Sequence, residues 1–116
     1  MNTLKSIIVI ALITLSYSCT KEEEPTSVYI QSAVSTPTEN EKVRIKNNSG
    51  EDTNIGGWTI GDKNNPTAYN IPSNTTISQG EILIFYASTM GFQINDSGET
   101  IYLKNSSGQN VDTWYN

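Results

Sequence analysis

Cys19 is the only cysteine in a 116-residue chain that contains no histidine. A lone thiol rules out an internal disulfide and a CxxC redox pair. The missing imidazole rules out Ser–His and Cys–His nucleophile pairs and His-containing zinc sites. What remains is the chemistry of one nucleophilic sulfur, of paired carboxylates and of oxygen ligands. Glu51 with Asp52, and Asp96 with Glu99, are close acid pairs in the C-terminal part. A glycosidase would need such acids about 5 to 10 Å apart across a cleft. Both pairs fall in turn-rich sequence, and a small domain has little material for a deep pocket. A small carboxylate-dependent hydrolase is therefore the weaker reading, and a non-catalytic chain is expected. Asp62, Asn64 and Asn65 offer oxygen ligands for calcium, but the EF-hand spacing, with its Gly at position six and closing Glu, is absent. Neither a metal nor a cofactor is expected.

The segment that must position Cys19 is MNTLKSIIVIALITLSYS, in which Lys5 precedes an apolar run from Ile7 to Leu15. Nine such residues are about half of the roughly 20 that span hydrocarbon, so residues 1–18 read as a cleaved signal peptide, helical before cleavage. Cys19 directly follows Ser18, with Leu15 and Ser16 upstream. This arrangement resembles the lipobox of bacterial lipoproteins, in which the cysteine becomes the new N-terminus and carries the lipid. The sulfur suits that role because a thiolate can accept a diacylglyceryl group as a thioether. Ser16 departs from the Leu usual three positions before the cysteine. Ser16 and Ser18 also suit an ordinary small-x-small cleavage site, which would make the chain a plain secreted binding module.

Residues 19–27 read as a short acidic tether, since Lys21, Glu22, Glu23 and Glu24 beside Pro25 have nothing apolar to bury. A Lys followed by acids just past a lipidated cysteine also resembles the export signal that sends some Gram-negative lipoproteins to the outer membrane. The resemblance implies a bacterial envelope protein held on the outer membrane by an N-terminal lipid, with its facing left open between periplasm and cell surface. Loss of residues 1–18 leaves six basic and twelve acidic residues. That balance disfavours nucleic acid and anionic lipid as partners.

Residues 28–116 hold short apolar segments separated by turn clusters, and no stretch keeps a 3.6-residue period over helical length. Over the full 116 residues, thirteen Ser, fourteen Thr and thirteen Asn, with fourteen Ile dominating the apolar set, favour strands and turns. Val28 to Val34 is a first strand, ended by the Ser35 to Asn40 cluster. Lys42 to Lys46 alternate strictly, with Val43 and Ile45 inward and three basic residues outward, where Glu41 and cross-strand acids are expected to complete a solvated face. Trp58 is expected in the core beside Ile60, in a strand that Gly61 and Asp62 close. Ile82 to Tyr86 is the most apolar stretch and is expected to be a central strand covered on both sides. Ile101 and Leu103 alternate with Tyr102 and Lys104, Asn105 to Gly108 turns, and Val111 to Tyr115 is a last strand. About seven strands in this length predict an all-β antiparallel sandwich.

Five pieces stand in order along this stretch: EKVRIKNNSG from Glu41, IGGWTI from Ile55, YNIP from Tyr69, ISQGEILIF from Ile77, and FQINDSGETIYLKNSSGQNVD from Phe92. Together they resemble the lamin-tail domain, an immunoglobulin-like module of nuclear lamins and of many bacterial envelope proteins. Arg44 departs from the acid that the family often carries between the two apolar residues of its second strand. The resemblance implies an immunoglobulin-like sandwich whose end loops build binding surfaces, here for a protein or glycan partner or for scaffolding. Two loops are candidates. The first runs from Gly61 to Asn70 and carries Asp62, Lys63, Asn64, Asn65 and Tyr69; the second runs from Ala87 to Phe92 with Met90 at its tip. Tyr69 also suits packing of the family type, and Trp114 with Tyr115 would either cover the open end of the sandwich or form a small sticky patch.

Overall fold

The computed structural model describes residues 25–116. Nine strands follow one another: β1 (Val28–Val34), β2 (Lys42–Asn47), β3 (Thr53–Asn54), β4 (Thr59–Asp62), β5 (Tyr69–Asn70), β6 (Thr76–Ile77), β7 (Ile82–Tyr86), β8 (Thr100–Lys104) and β9 (Asn110–Tyr115). A 3-10 turn at Thr38–Asn40 and a single helical turn, α1 (Ala87–Met90), complete the set. The pairings are antiparallel, in a three-stranded sheet β1-β2-β7, a four-stranded sheet β5-β4-β8-β9 and a short ribbon β3-β6. This is the expected all-β, immunoglobulin-like sandwich. The strands beyond the expected seven come with the two-residue pieces β3, β5 and β6, too short for alternation to register.

The two sheets meet over an aliphatic core. Val43 and Ile45 of β2, Ile60 of β4, Ile77 of β6, and Ile101 and Leu103 of β8 are fully buried, as are Ile55 and Ile71 from the connecting segments. One rim of the sandwich is closed by β1 against β9, where the Ile30 N–H donates to Asp112 Oδ2 at 2.8 Å. The bond falls where the β1–β2 register shifts between Ile30 and Ser32. Such a bulge re-aims the strand. Across the other rim Tyr69 and Phe85 meet with ring centroids 6.1 Å apart. Trp58 lies half-buried against this core just ahead of β4, a lid rather than a core member. Gly57 before it takes φ +82°, the tight turn that the glycine suits.

Two expectations about the first sheet are overturned. β7 is not central: among the described residues it has a hydrogen-bonded neighbour on one side only, β2. Ile82, Ile84 and Tyr86 are exposed on its outer face, and Leu83 and Phe85 are half-buried on the inner one. An unbroken apolar run looks the same whether a strand is covered on two faces or merely carries apolar residues on a wet one. Among the described residues, the cross-strand neighbours of the basic face of β2 are not acids. Lys42, Arg44 and Lys46 stand beside Tyr86, Ile84 and Ile82 on one flank and Val34, Ser32 and Tyr29 on the other. Glu41 shares the parity of Val43 and Ile45 and is buried.

Candidate functional site

Both nominated loops lie at one end of the sandwich. The Gly61–Asn70 segment leaves β4 where Asp62 pairs with Ile101, next to Thr100 and Tyr115. Asn116, one residue on, donates through Nδ2 to the Asn95 and Asp96 carbonyls and accepts the Glu99 N–H at 2.9 Å. The segment before Asn95 is fastened to β2 through the Ile94 N–H, which donates to Glu41 Oε1 at 2.8 Å, and it continues from α1. The opposite end of β2 receives the chain from its N-terminal side: Asn48 donates its backbone N–H to the Ser27 carbonyl and its Nδ2 to that of Pro25. Cys19, Lys21, Glu22, Glu23 and Glu24 lie outside the described residues.

The first loop divides into scaffold and surface. Asp62 Oδ1 accepts the N–H groups of Asn64 and Asn65 at 3.0 and 2.9 Å, an Asx turn that occupies the carboxylate within its own loop. Gly61 is what lets the loop fold back, because a Cβ there would collide with the backbone of Asn65 and Pro66. Tyr69 leaves the loop, enters β5 and packs on Phe85. Lys63, Asn64 and Asn65 are exposed at the tip. No group of three His, Cys, Asp or Glu among the described residues could hold a metal ion.

The second loop is not a loop with a methionine tip. Residues 87–90 form α1, closed by the Gly91 N–H on the Ala87 carbonyl at 2.8 Å with Gly91 in the left-handed region. This turn drives Met90 inward, where it is 4% exposed and part of the core. A four-residue helical turn has no period for a sequence reading to find. Beside α1 an open groove of about 320 Å³ is lined by Thr38, Glu41, Ala87, Ser88, Phe92 and Gln93. Its size is near the lower limit of small-ligand sites.

The acid pairs do not flank this groove. Glu99 is buried, and its two oxygens accept the N–H groups of Asn95 and Thr100 at 2.8 and 3.0 Å. Asp52 Oδ1 accepts the Gln79 N–H at 3.0 Å, while Glu51 and Asp96 are exposed. The acid on the groove wall is Glu41, which a sequence reading places in solvent. Its signal was available in the strict alternation of β2, whose odd positions all turn inward. Trp114 packs on the core and Tyr115 is 72% exposed, so the terminal aromatics cover and protrude in turn.

These features define an immunoglobulin-like sandwich with structural acids and its two candidate loops gathered at one end, a fold that suggests a non-catalytic binding or scaffolding module. The lamin tail domain family model matches residues 21–116, and the chain belongs to that family. A search of curated proteins finds no match.

Proposed function

We propose that this chain is a lipid-anchored envelope module that holds its lamin tail domain off the outer membrane and presents the far end for protein or glycan interaction or scaffolding. The observation that carries the reading is polarity. The chain enters beside Asn48, whereas the Lys63–Asn65 tip, α1 and the groove gather at the opposite end. A tether attached at one end leaves the other free to meet a partner. Cys19 would supply the anchor through its thiolate, and each buried lipid methylene adds about 0.8 kcal/mol of membrane affinity. Lys21 to Glu24 would then serve as the export signal and spacer.

Antibody labelling of the domain on intact and permeabilised cells, with a Cys19→Ser strain beside the wild type, tests this. The wild type should fractionate with the outer membrane and the variant should not. Labelling of intact cells would direct the search to glycan, matrix or host partners; labelling only after permeabilisation would direct it to envelope proteins. A Cys19→Ser chain that stays fully membrane-bound would refute the anchor, and a soluble wild type would make the chain a plain secreted module.

A further inference from the structure

The groove beside α1 is walled by segments that bond to one residue. Glu41 donates its N–H to the Thr38 carbonyl at 3.2 Å, accepts the Ala87 N–H on its own carbonyl at 2.9 Å, and accepts the Ile94 N–H on Oε1 at 2.8 Å. These bonds fix the side chain in the groove wall at 6% exposure. Its second carboxylate oxygen is left over. No described residue bonds to Oε2, yet that oxygen is not sealed in, because the side-chain atom buried without a partner among the described residues is Thr59 Oγ1. Oε2 therefore opens on the groove that Glu41 lines. The other buried acid behaves differently: Glu99 engages both oxygens, on the Asn95 and Thr100 N–H groups. Fastening Ile94 alone asks for one neutral acceptor and no charge. No cation lines the groove, and Lys42, next in the chain, turns to the outer face with its ammonium 5.7 Å from the centre of the Tyr86 ring.

We propose that this groove receives a lysine side chain of a partner protein, whose ammonium donates to Glu41 Oε2 and whose methylene stem lies against Phe92 and Ala87. The remaining ammonium N–H groups meet the Thr38 and Ser88 hydroxyls or water. A largely buried charge without a counter-charge is costly, and an arriving cation removes that cost. A sugar brings no charge to offset the carboxylate. An arginine is disfavoured because Oε1 is taken by Ile94, which leaves no oxygen pair for the fork of a guanidinium. The groove is open, so the side chain enters while its backbone stays outside. The inference deepens the binding reading above, on which it rests, by naming the group that the partner brings.

The test titrates the isotope-labelled full chain, held in detergent, with short blocked peptides of Gly and Ser around a single central lysine, acetyl-lysine or norleucine. The lysine peptide should move the Ile94 and Ala87 amide signals saturably and bind at least about tenfold more tightly than the other two. Glu41→Gln keeps an acceptor for the Ile94 N–H and loses the charge, so the fold should persist while lysine binding falls at least about tenfold. Ser88→Arg changes an exposed residue of the groove and sets a cation at its mouth. It should weaken binding likewise, and it answers the question if Glu41→Gln unfolds. Equal binding of the three peptides, no saturable shift at Ile94 and Ala87, or lysine binding that neither variant weakens overturns the proposal. Binding of n-butylammonium as tight as that of the lysine peptide would make the groove a site for free amines and overturn the protein partner. A neutral disaccharide that moves the same signals where the lysine peptide does not would overturn the inference and leave the binding module standing. The Cys19→Ser comparison tests the anchor separately, so either reading can fail alone.

Discussion

Asn47 is fully buried at the end of β2 and ties three segments together. Its Nδ2 donates to the carbonyls of Glu51 and Ile77 at 2.8 Å each, and its Oδ1 accepts the Ser49 N–H at 3.0 Å and hydroxyl at 2.6 Å. In Asn47→Ala, the Ser49 N–H turns to water and the Glu51 carbonyl keeps the hydroxyls of Ser49 and Thr53. The Ile77 carbonyl loses a buried bond, which costs about 1–3 kcal/mol, and the lost outer bonds add about 1 kcal/mol. The expected total of about 3 kcal/mol lowers the melting temperature by at least about 10 °C in a domain of this size. Asn47→Asp keeps the shape but, when ionised, aims negative charge at two carbonyl oxygens and donates nothing. Burial and those oxygens raise the introduced carboxyl's folded pKa above the unfolded value of about 3.9. Its penalty is thus absent below the unfolded pKa and grows as pH rises through the folded one. At pH 7 Asn47→Asp should be less stable than Asn47→Ala, and part of that deficit should disappear at pH 4. Urea melts of the three chains at both pH values, followed by tryptophan fluorescence, make the comparison. An alanine cost under about 0.5 kcal/mol, or an Asp variant as stable as the Ala variant at pH 7, would refute the reasoning.

Gly61→Ala should cost about 2 kcal/mol or more, because the new methyl meets rigid backbone at Asn65 and Pro66; a thermal melt within 2 °C of wild type would contradict the close approach. Met90→Ala should lose about 2–4 kcal/mol in a urea melt, as a core deletion does, where an exposed loop tip would lose almost nothing. Asp112→Ala leaves the Ile30 N–H without its acceptor, so stability should fall by about 1–3 kcal/mol and hydrogen exchange at Ile30 should accelerate more than at Val43; equal exchange would mean that the bond does not join the sheets.

How much was legible depends on whether a residue's position rests on its own strand or on what packs against it. β1 is read with the bounds Val28–Val34, and the alternation of Lys42 to Lys46 places Val43 and Ile45 in the core. The same parity, carried one residue either way, would have placed Glu41 and Asn47 inside, against the habit of reading Glu and Asn as solvent. The candidate loops were only half legible. Lys63, Asn64 and Asn65 are exposed as a polar turn should be, but Asp62 is drawn into its own Asx turn, Tyr69 into β5 and Met90 into the core. Each displacement comes from a contact with chain far along the sequence or from a turn too short to carry a period.

By itself the sequence determined the class of the fold and its family, because period-two alternation and turn chemistry are local properties that survive in any context. It also determined which catalytic chemistries are closed, since a chain without histidine and with one cysteine cannot assemble their residues. Only the tertiary structure decided that β7 is an edge, that the groove sits beside α1, and that the nominated loops share the end remote from where the chain enters. The physical reason is that strand order and the pairing of distant segments are settled by non-local burial and hydrogen bonding, for which a run of apolar residues carries no address.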